Sequence, residues 1–364
     1  MIWSGLEDIL HINLDPGKTI SQFFFMKEQV KFNVNNFDLL RLFAATEVIA
    51  DHYYQHLNLP ISELSLKLLY LFPGVPVFFI ISGYLISGSF ERNNNYRDYF
   101  TNRALRIFPG LWCCIIVTIV VFAITGVDFF NKEMIAWLPS QLVGFIYTPS
   151  FLINYGFGSY NGSLWTIPVE LQFYILLPIL YFVFNRGKLT RWLFVLIAVF
   201  TAIFLFNHAL ENIHGFKKIF WHSFLPNFYL FLLGVLLQRL QVYNWRIIYN
   251  RGLYWLPACL SFFIIFYHYT ETPIYAIFYN IILAFSLVSF AYTLPDTAKK
   301  LLCKNDISYG IYIYHGLILT VIVQLKLVSH INLFIVIASS YILGYISWKL
   351  IERPFIKLKR RSTV

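Results

Sequence analysis

The sequence predicts an all-α, polytopic membrane protein with about ten transmembrane helices and both termini in the cytoplasm. Three observations predict it. The 364 residues are 58% hydrophobic and only 13% charged, with mean hydropathy +0.63; soluble domains lie nearer half apolar and a quarter charged. The apolar residues gather into ten runs near the roughly 20 residues that cross the hydrocarbon. The basic residues are spread among the short links between these runs. That distribution serves membrane topology and argues against a nucleic-acid partner, despite the net charge of +10.

In chain order the runs are 38–57, 68–90, 105–126, 164–184, 190–207, 221–240, 253–269, 274–293, 307–327 and 332–352. The fifth and seventh are short. With the N-terminus inside, twenty-one Lys and Arg fall in cytoplasmic segments. Only Lys67, Lys132, Lys217, Lys218 and Lys326 fall outside, so the positive-inside rule sets the orientation. The chain then divides into a cytoplasmic N-terminal segment 1–37, a ten-helix membrane domain 38–353 and a basic cytoplasmic tail 354–364. Residues 1–37 show no cleavable signal peptide, and the first span is expected to act as an uncleaved anchor. The outer segment 127–163 holds Gly156, Gly158 and Gly162, which favour a loop. Within it 135–153 is apolar enough to be re-entrant or interfacial. The four cysteines have no disulfide or zinc spacing, and no metal is expected.

The first run raises a chemical question. "DLLRLFAATEVIADHYYQH", residues 38–56, carries Asp38, Arg41, Glu47, Asp51 and His52 among its apolar residues. Arg41 and His52, eleven residues apart, lie within about 20° on one helix face and about 16 Å apart along the axis. Arg41 is near the cytoplasmic end and His52 near the outer end. Ionisable groups inside a span face the bundle interior or a wet cavity and mark functional sites by default. Asp38 and Asp51 also fit interfacial helix ends, and Glu47 also fits a structural hydrogen-bonding role.

"NGSLWTIPVELQFY", residues 161–174, sets Gly162 and Ser163 as a break, Thr166 as a cap and Pro168 in the first turn. Glu170 is then expected in the first turn of the fourth span, at the depth of His52. A carboxylate there would orient the imidazole and raise its basicity; the alternative is simple helix capping. "FFIISGYLIS", residues 78–87, places Ser82 and Gly83 where small residues let helices approach. "RDYFTNRALRIFPG", residues 97–110, places Arg97, Arg103 and Arg106 on the cytoplasmic face. They fit either ordinary topology or an anion clamp for phosphates.

With these motifs the chain resembles acyltransferase family 3 of integral membrane proteins. The resemblance is carried by Arg41-(ten residues)-His52, "FFIISGYLIS", "RALRIFP", "SLWTIPVELQFY", "FLLGVLL" at 231–237, "ISYGIYIYHGL" at 307–317 and "LIERPF" at 350–355. They run in family order over about residues 36–356. Departures are Leu39 and Leu42 where the family often has glycine, Asn102–Arg103 where it often has paired arginines, and Gly316–Leu317 where a proline often follows the histidine. The resemblance implies O-acylation, usually acetylation, of carbohydrate hydroxyls, with acyl-coenzyme A (acetyl-CoA) as co-substrate on the cytoplasmic side. It also implies a carbohydrate acceptor outside and a bacterial inner-membrane location.

On this expectation His52 is the base, Glu170 orients it, and Arg41 holds the donor or its route. Arg103 and Arg106, with Arg97, hold the donor's phosphates. Ser82, Tyr84, Trp165, Tyr174, Tyr312 and His315 are candidates for the substrate cavity. His52 and Arg41 are expected to share an enclosed polar passage. The rival class is a transporter or a flippase of a lipid-linked sugar. It also suits ten spans with buried charge, but usually shows repeated halves, and none stand out here.

Overall fold

The computed structural model describes residues 30–93, 95–129, 131–209, 220, 223–303 and 305–359, with no side chains described for 207–209. The expectations for residues 1–29 and 360–364, for Lys217 and Lys218, and for the start of the sixth span lie outside the described residues. Among the described residues there is no strand. The helices are α1 (Phe37–His56), α2 (Glu63–Leu69), α3 (Gly74–Arg92), α4 (Tyr96–Ile124), α5 (Lys132–Leu142), α6 (Thr166–Val183) and α7 (Asn185–Ala209). They continue with α8 (Phe228–Arg239), α9 (Gly252–Ile265), α10 (Pro273–Ala291), α11 (Thr297–Leu302), α12 (Ser308–Gln324), α13 (Leu333–Ser347) and α14 (Arg353–Lys357).

Among the described residues, six segments are long and apolar enough to cross a membrane: Glu63–Arg92, Tyr96–Ile124, Gly162–Val183, Asn185–Phe206, Pro273–Ala291 and Leu333–Lys357. α8, α9 and α12 are shorter apolar helices. α1 spans 20 residues, about 30 Å, but carries the ionisable groups noted above. The protein is therefore an all-helical integral membrane protein. Several boundaries differ from the sequence expectation, for local reasons. α4 starts at Tyr96 because the Asn95 side chain caps it, accepting from the Arg97 and Asp98 amides. Arg97 and Arg103, which lie ahead of the expected run, therefore share one helix with Arg106. The sixth run shortens to the 12 residues of α8, about 18 Å. The stretch 135–153 holds most of the 11-residue α5, which at about 16 Å is half the hydrocarbon thickness, and then a loop with the 3-10 turn Ser150–Leu152.

Two interfaces position the interior. α3 and α8 meet through reciprocal glycines. A Cβ on Gly83 would lie 2.0 Å from the Phe231 carbonyl oxygen, and one on Gly234 would lie 2.1 Å from that of Ile80. Only hydrogens fit there, so the backbones touch. α1 and α12 run side by side in the same direction and meet at two levels, Arg41 with Asp306 just ahead of α12 and His52 with His315. Glu47 is structural: its Oε2 accepts from the Gly74 amide at 2.7 Å, capping α3 where Pro73 breaks the chain. Asp51 accepts from Gln55 and Tyr70. Before α1, Asn36 ties the chain to the end of α10, its amide donating to Ala291 and its side chain to Thr293 and Leu294.

Candidate active site

A cavity of about 380 Å³ opens among α1, α3, α4, α6 and the start of α12. Arg41, Ser82, Arg103, Arg106, Glu170, Tyr174 and Tyr312 line it, together with Asp38, Asp306 and Lys359. Seven of the residues singled out in the sequence thus converge. Helical geometry explains why. Arg103 and Arg106 share a face of α4 at i, i+3, and Ser82 lies on the face of α3 turned to α6.

The charged end is organised by Asp306. Its Oδ2 accepts from Arg41 at 2.8 Å and Arg106 at 2.6 Å, and its Oδ1 from Ser308 at 2.6 Å. Burial alone would raise its pKa, but Arg106 and Arg41 outweigh that and hold the carboxyl well below the usual carboxylate range. Arg41 also reaches Asp38 at 2.5 Å. Arg103 lies between the rings of Tyr99 and Tyr174, 5.9 and 5.8 Å from their centroids, and touches Ser89 Oγ at 3.4 Å.

Glu170 stands apart from His52. Its Oε1 accepts from Ser82 at 3.2 Å and from the Tyr174 hydroxyl. The expected carboxylate–imidazole pair is thus replaced by a carboxylate serving the arginine side of the cavity. The cause lies in how the helix begins. Asn161, rather than Thr166, caps the turn, accepting from the Ser163 amide, and a 3-10 turn Gly162–Trp165 precedes α6. Glu170 is therefore carried past the first turn. Thr166 is free to bond the Tyr312 hydroxyl at 2.8 Å.

His52 instead faces His315, with Nδ1 2.9 Å from Nε2. His315 is fully buried. Its Nδ1 has no well-formed hydrogen bond, and its nearest acceptors are the Ile311 and Tyr312 carbonyls. A proton on that nitrogen is the tautomer those two carbonyls would accept from. Nε2 then accepts, His52 Nδ1 donates, and His52 Nε2 keeps its lone pair. His56 continues the row, its ring 4.8 Å from that of His52 and stacked on Phe157, in the loop between α5 and α6, at 4.1 Å.

The passage expected to join His52 to Arg41 is interrupted. Neither His52 nor His315 lines the cavity; Tyr312, whose ring is 5.6 Å from that of His315, stands between. Three further candidates fall outside. Tyr84, two residues and 200° of helix from Ser82, stacks on Phe32 in the core. Arg97, half a turn from Arg106 around α4, is exposed. Trp165, in the turn ahead of α6, packs against the hydrophobic core. Asp306 and Lys359 were not singled out. Asp306 directly precedes "ISYGIYIYHGL" and resembles a helix-end acid; Lys359 lies in a basic run that topology already explains. Among the described residues no group of His, Cys, Asp or Glu is arranged to hold a metal.

The family model described as "Acyltransferase domain" matches residues 34–349. The chain is 32% identical to "Nodulation protein 10" of Rhizobium leguminosarum bv. viciae, over 89% of this chain and 94% of that protein. It is 27% identical to an "O-acetyl transferase" of Shigella phage Sf6, over 88% and 96%. It is also 27% identical to "Peptidoglycan O-acetyltransferase OatA" of Listeria monocytogenes, over 44% of this chain and 26% of that protein. No solved structure matches it. The chain belongs to acyltransferase family 3 and is an integral-membrane O-acetyltransferase.

Proposed function

We propose that the protein transfers an acetyl group from acetyl-coenzyme A, entering from the cytoplasm, to a hydroxyl of a bacterial surface carbohydrate on the outer side of the inner membrane. All ten apolar helices cross, α1, α8, α9 and α12 included, and both termini are cytoplasmic. The observation that carries this is the α1–α12 pair. It presents an arginine cavity at one level and a histidine pair at the other, about 16 Å apart along the axis. A donor extended along that face has its phosphates at the arginines and its thioester at the histidines.

The acceptor oxygen attacks the thioester carbonyl, and His52 Nε2 takes the hydroxyl proton. The carbon–sulfur bond then breaks, and the thiolate recovers that proton from His52, leaving the ester and free coenzyme A. His315 holds the His52 tautomer. Arg41, Arg103 and Arg106 hold the donor, and Glu170 supports Tyr174 beside Arg103. The Thr166–Tyr312 contact parts to admit the thioester. The carbohydrate acceptor is supported by the relative whose name specifies peptidoglycan.

The test is acetyl transfer from radiolabelled acetyl-coenzyme A by purified protein in proteoliposomes, with the host's surface glycan as acceptor. His52→Ala should lose about 100-fold or more, the usual contribution of a general base. His315→Gln, which keeps an acceptor where Nε2 stands, should retain more activity than His315→Leu. Undiminished transfer by the His52 variant would falsify the assigned base.

A further inference from the structure

Lys359 stands on the chain beyond α14, past residue 349 where the family match ends, yet it reaches back to line the arginine cavity. The cations of that cavity are not equivalent. Arg41 is held by Asp38 and Asp306, and Arg106 by Asp306. Among the described residues, Arg103 has only a serine hydroxyl and two ring faces. Among the described residues no carboxylate lies within ion-pair distance of Lys359. Arg41 Nε and Arg103 Nε are, in addition, buried donors without an acceptor among the described residues. Buried donors are almost always satisfied. Two cations without an acid, beside two N–H groups without an acceptor, define a site for an anion rich in oxygens.

We propose that Lys359 is a phosphate-binding residue of the donor site, forming with Arg103 a two-cation cradle for the phosphates of coenzyme A. This rests on coenzyme A being the donor. The cradle is completed from the segment just past α14, so that segment takes part in donor binding.

A pH dependence follows. The titratable and charged groups sharing the cavity with Lys359 are Asp38 and Arg41 from α1, Arg103 and Arg106 from α4, Glu170 and Tyr174 from α6, Asp306 from the turn before α12 and Tyr309 from α12, with Glu352 close to Arg106. Burial first, then the guanidinium groups of Arg106, Arg103 and Arg41, push the Lys359 ammonium down to about 7, with Asp306 opposing. Free Lys359 is thus partly neutral near neutrality. A phosphate alongside favours the charged form, so binding takes up a proton and tightens as the pH falls through that value. An arginine has no such transition.

The experiment is calorimetric titration of the full-length protein in lipid nanodiscs, at about pH 6 and about pH 8.5. The probes are coenzyme A and, as a phosphate-free control, pantetheine. Wild type should bind coenzyme A about tenfold more tightly at the lower pH. Lys359→Gln should lose about tenfold at the lower pH, together with most of the pH dependence. Lys359→Arg should bind well at both and report any titration of the phosphates themselves. Pantetheine binding should be the same for all three, which also checks that the variants fold. A Gln variant with wild-type affinity and pH dependence overturns the role of Lys359 and leaves the donor assignment standing. Wild type that fails to bind coenzyme A overturns the donor assignment and this inference with it.

Discussion

Asp306 is the residue on which the charged end of the cavity depends. Its side chain is 11% exposed and shared by two guanidinium groups, whereas that of Asp38 is 45% exposed and meets one. Removing one partner from a buried ion pair costs about 3–5 kcal/mol, while an exposed pair is worth at most about 1. Asp306→Asn should therefore destabilise the protein by about 3 kcal/mol, since Arg41 retains Asp38. Asp38→Asn should stay within about 1. Thermal unfolding in one detergent distinguishes them, and equal Tm values would sink the ranking. A carboxyl held below its usual range stabilises the fold above the unfolded value. That stability is lost only as the pH falls through the depressed one, so Asp306 does not titrate near neutrality. Asp306 was hidden in the sequence because an acid before an apolar run looks like a cap. Arg41 and His52 were visible because charge inside an apolar run is costly enough to demand a reason. That His52 meets His315 rather than Glu170 depends on which helices are neighbours, and periodicity along one helix does not contain that.

Between elements, glycine decides how near two helices come. Gly83 and Gly234 sit where α3 and α8 touch backbone to backbone, with carbonyl oxygens at 2.0 and 2.1 Å from the added Cβ positions. A carbonyl in a helix cannot rotate away, so the helices themselves must part. Gly83→Val or Gly234→Val should cost at least about 3 kcal/mol, the upper range for overpacking, and separate α3, which carries Ser82, from α6. The control is Gly187 in α7, where an added Cβ meets nothing within 4 Å. Gly187→Ala should be neutral or gain up to about 1 kcal/mol from helix propensity. Size-exclusion profiles and Tm in detergent read both effects. A monodisperse, wild-type-stable Gly83→Val would show that the two helices do not approach this closely. At this scale much was legible: each of the ten apolar runs contains a helix. Ends were not, because caps decide them. Asn95 extends α4 outward and Asn161 starts a 3-10 turn before α6, and such side chains look like loop polarity until their partner amides are known. The motif glycines Gly83 and Gly234 belong to separate motifs, and only the fold makes them one contact.

For the whole molecule the proposed reaction sets a strict condition: donor and acceptor arrive from opposite sides, so the arginine cavity and the His52–His56 row must belong to opposite faces. The charge distribution supports this. The cavity lies at the level of Arg103, Arg106 and Lys359, on the side rich in basic residues, while His56 stacks on Phe157 of the long loop that carries few. A lysine or arginine near a span end favours the cytoplasm, and twenty-one against five is a large imbalance. Two probes test the arrangement. Cys303, exposed at the end of α11, is expected inside, and Asn154, exposed in the loop after α5, outside. In spheroplasts, a membrane-impermeant maleimide should leave Cys303 unlabelled until the cells are opened. In a Cys303→Ser background, Asn154→Cys should label at once. Both sites reacting together in intact spheroplasts would mean that an odd number of the helices between them fails to cross. Reversed reactivity would put the phosphate-binding cavity outside, where no coenzyme A is made, and the two-sided mechanism would have no donor.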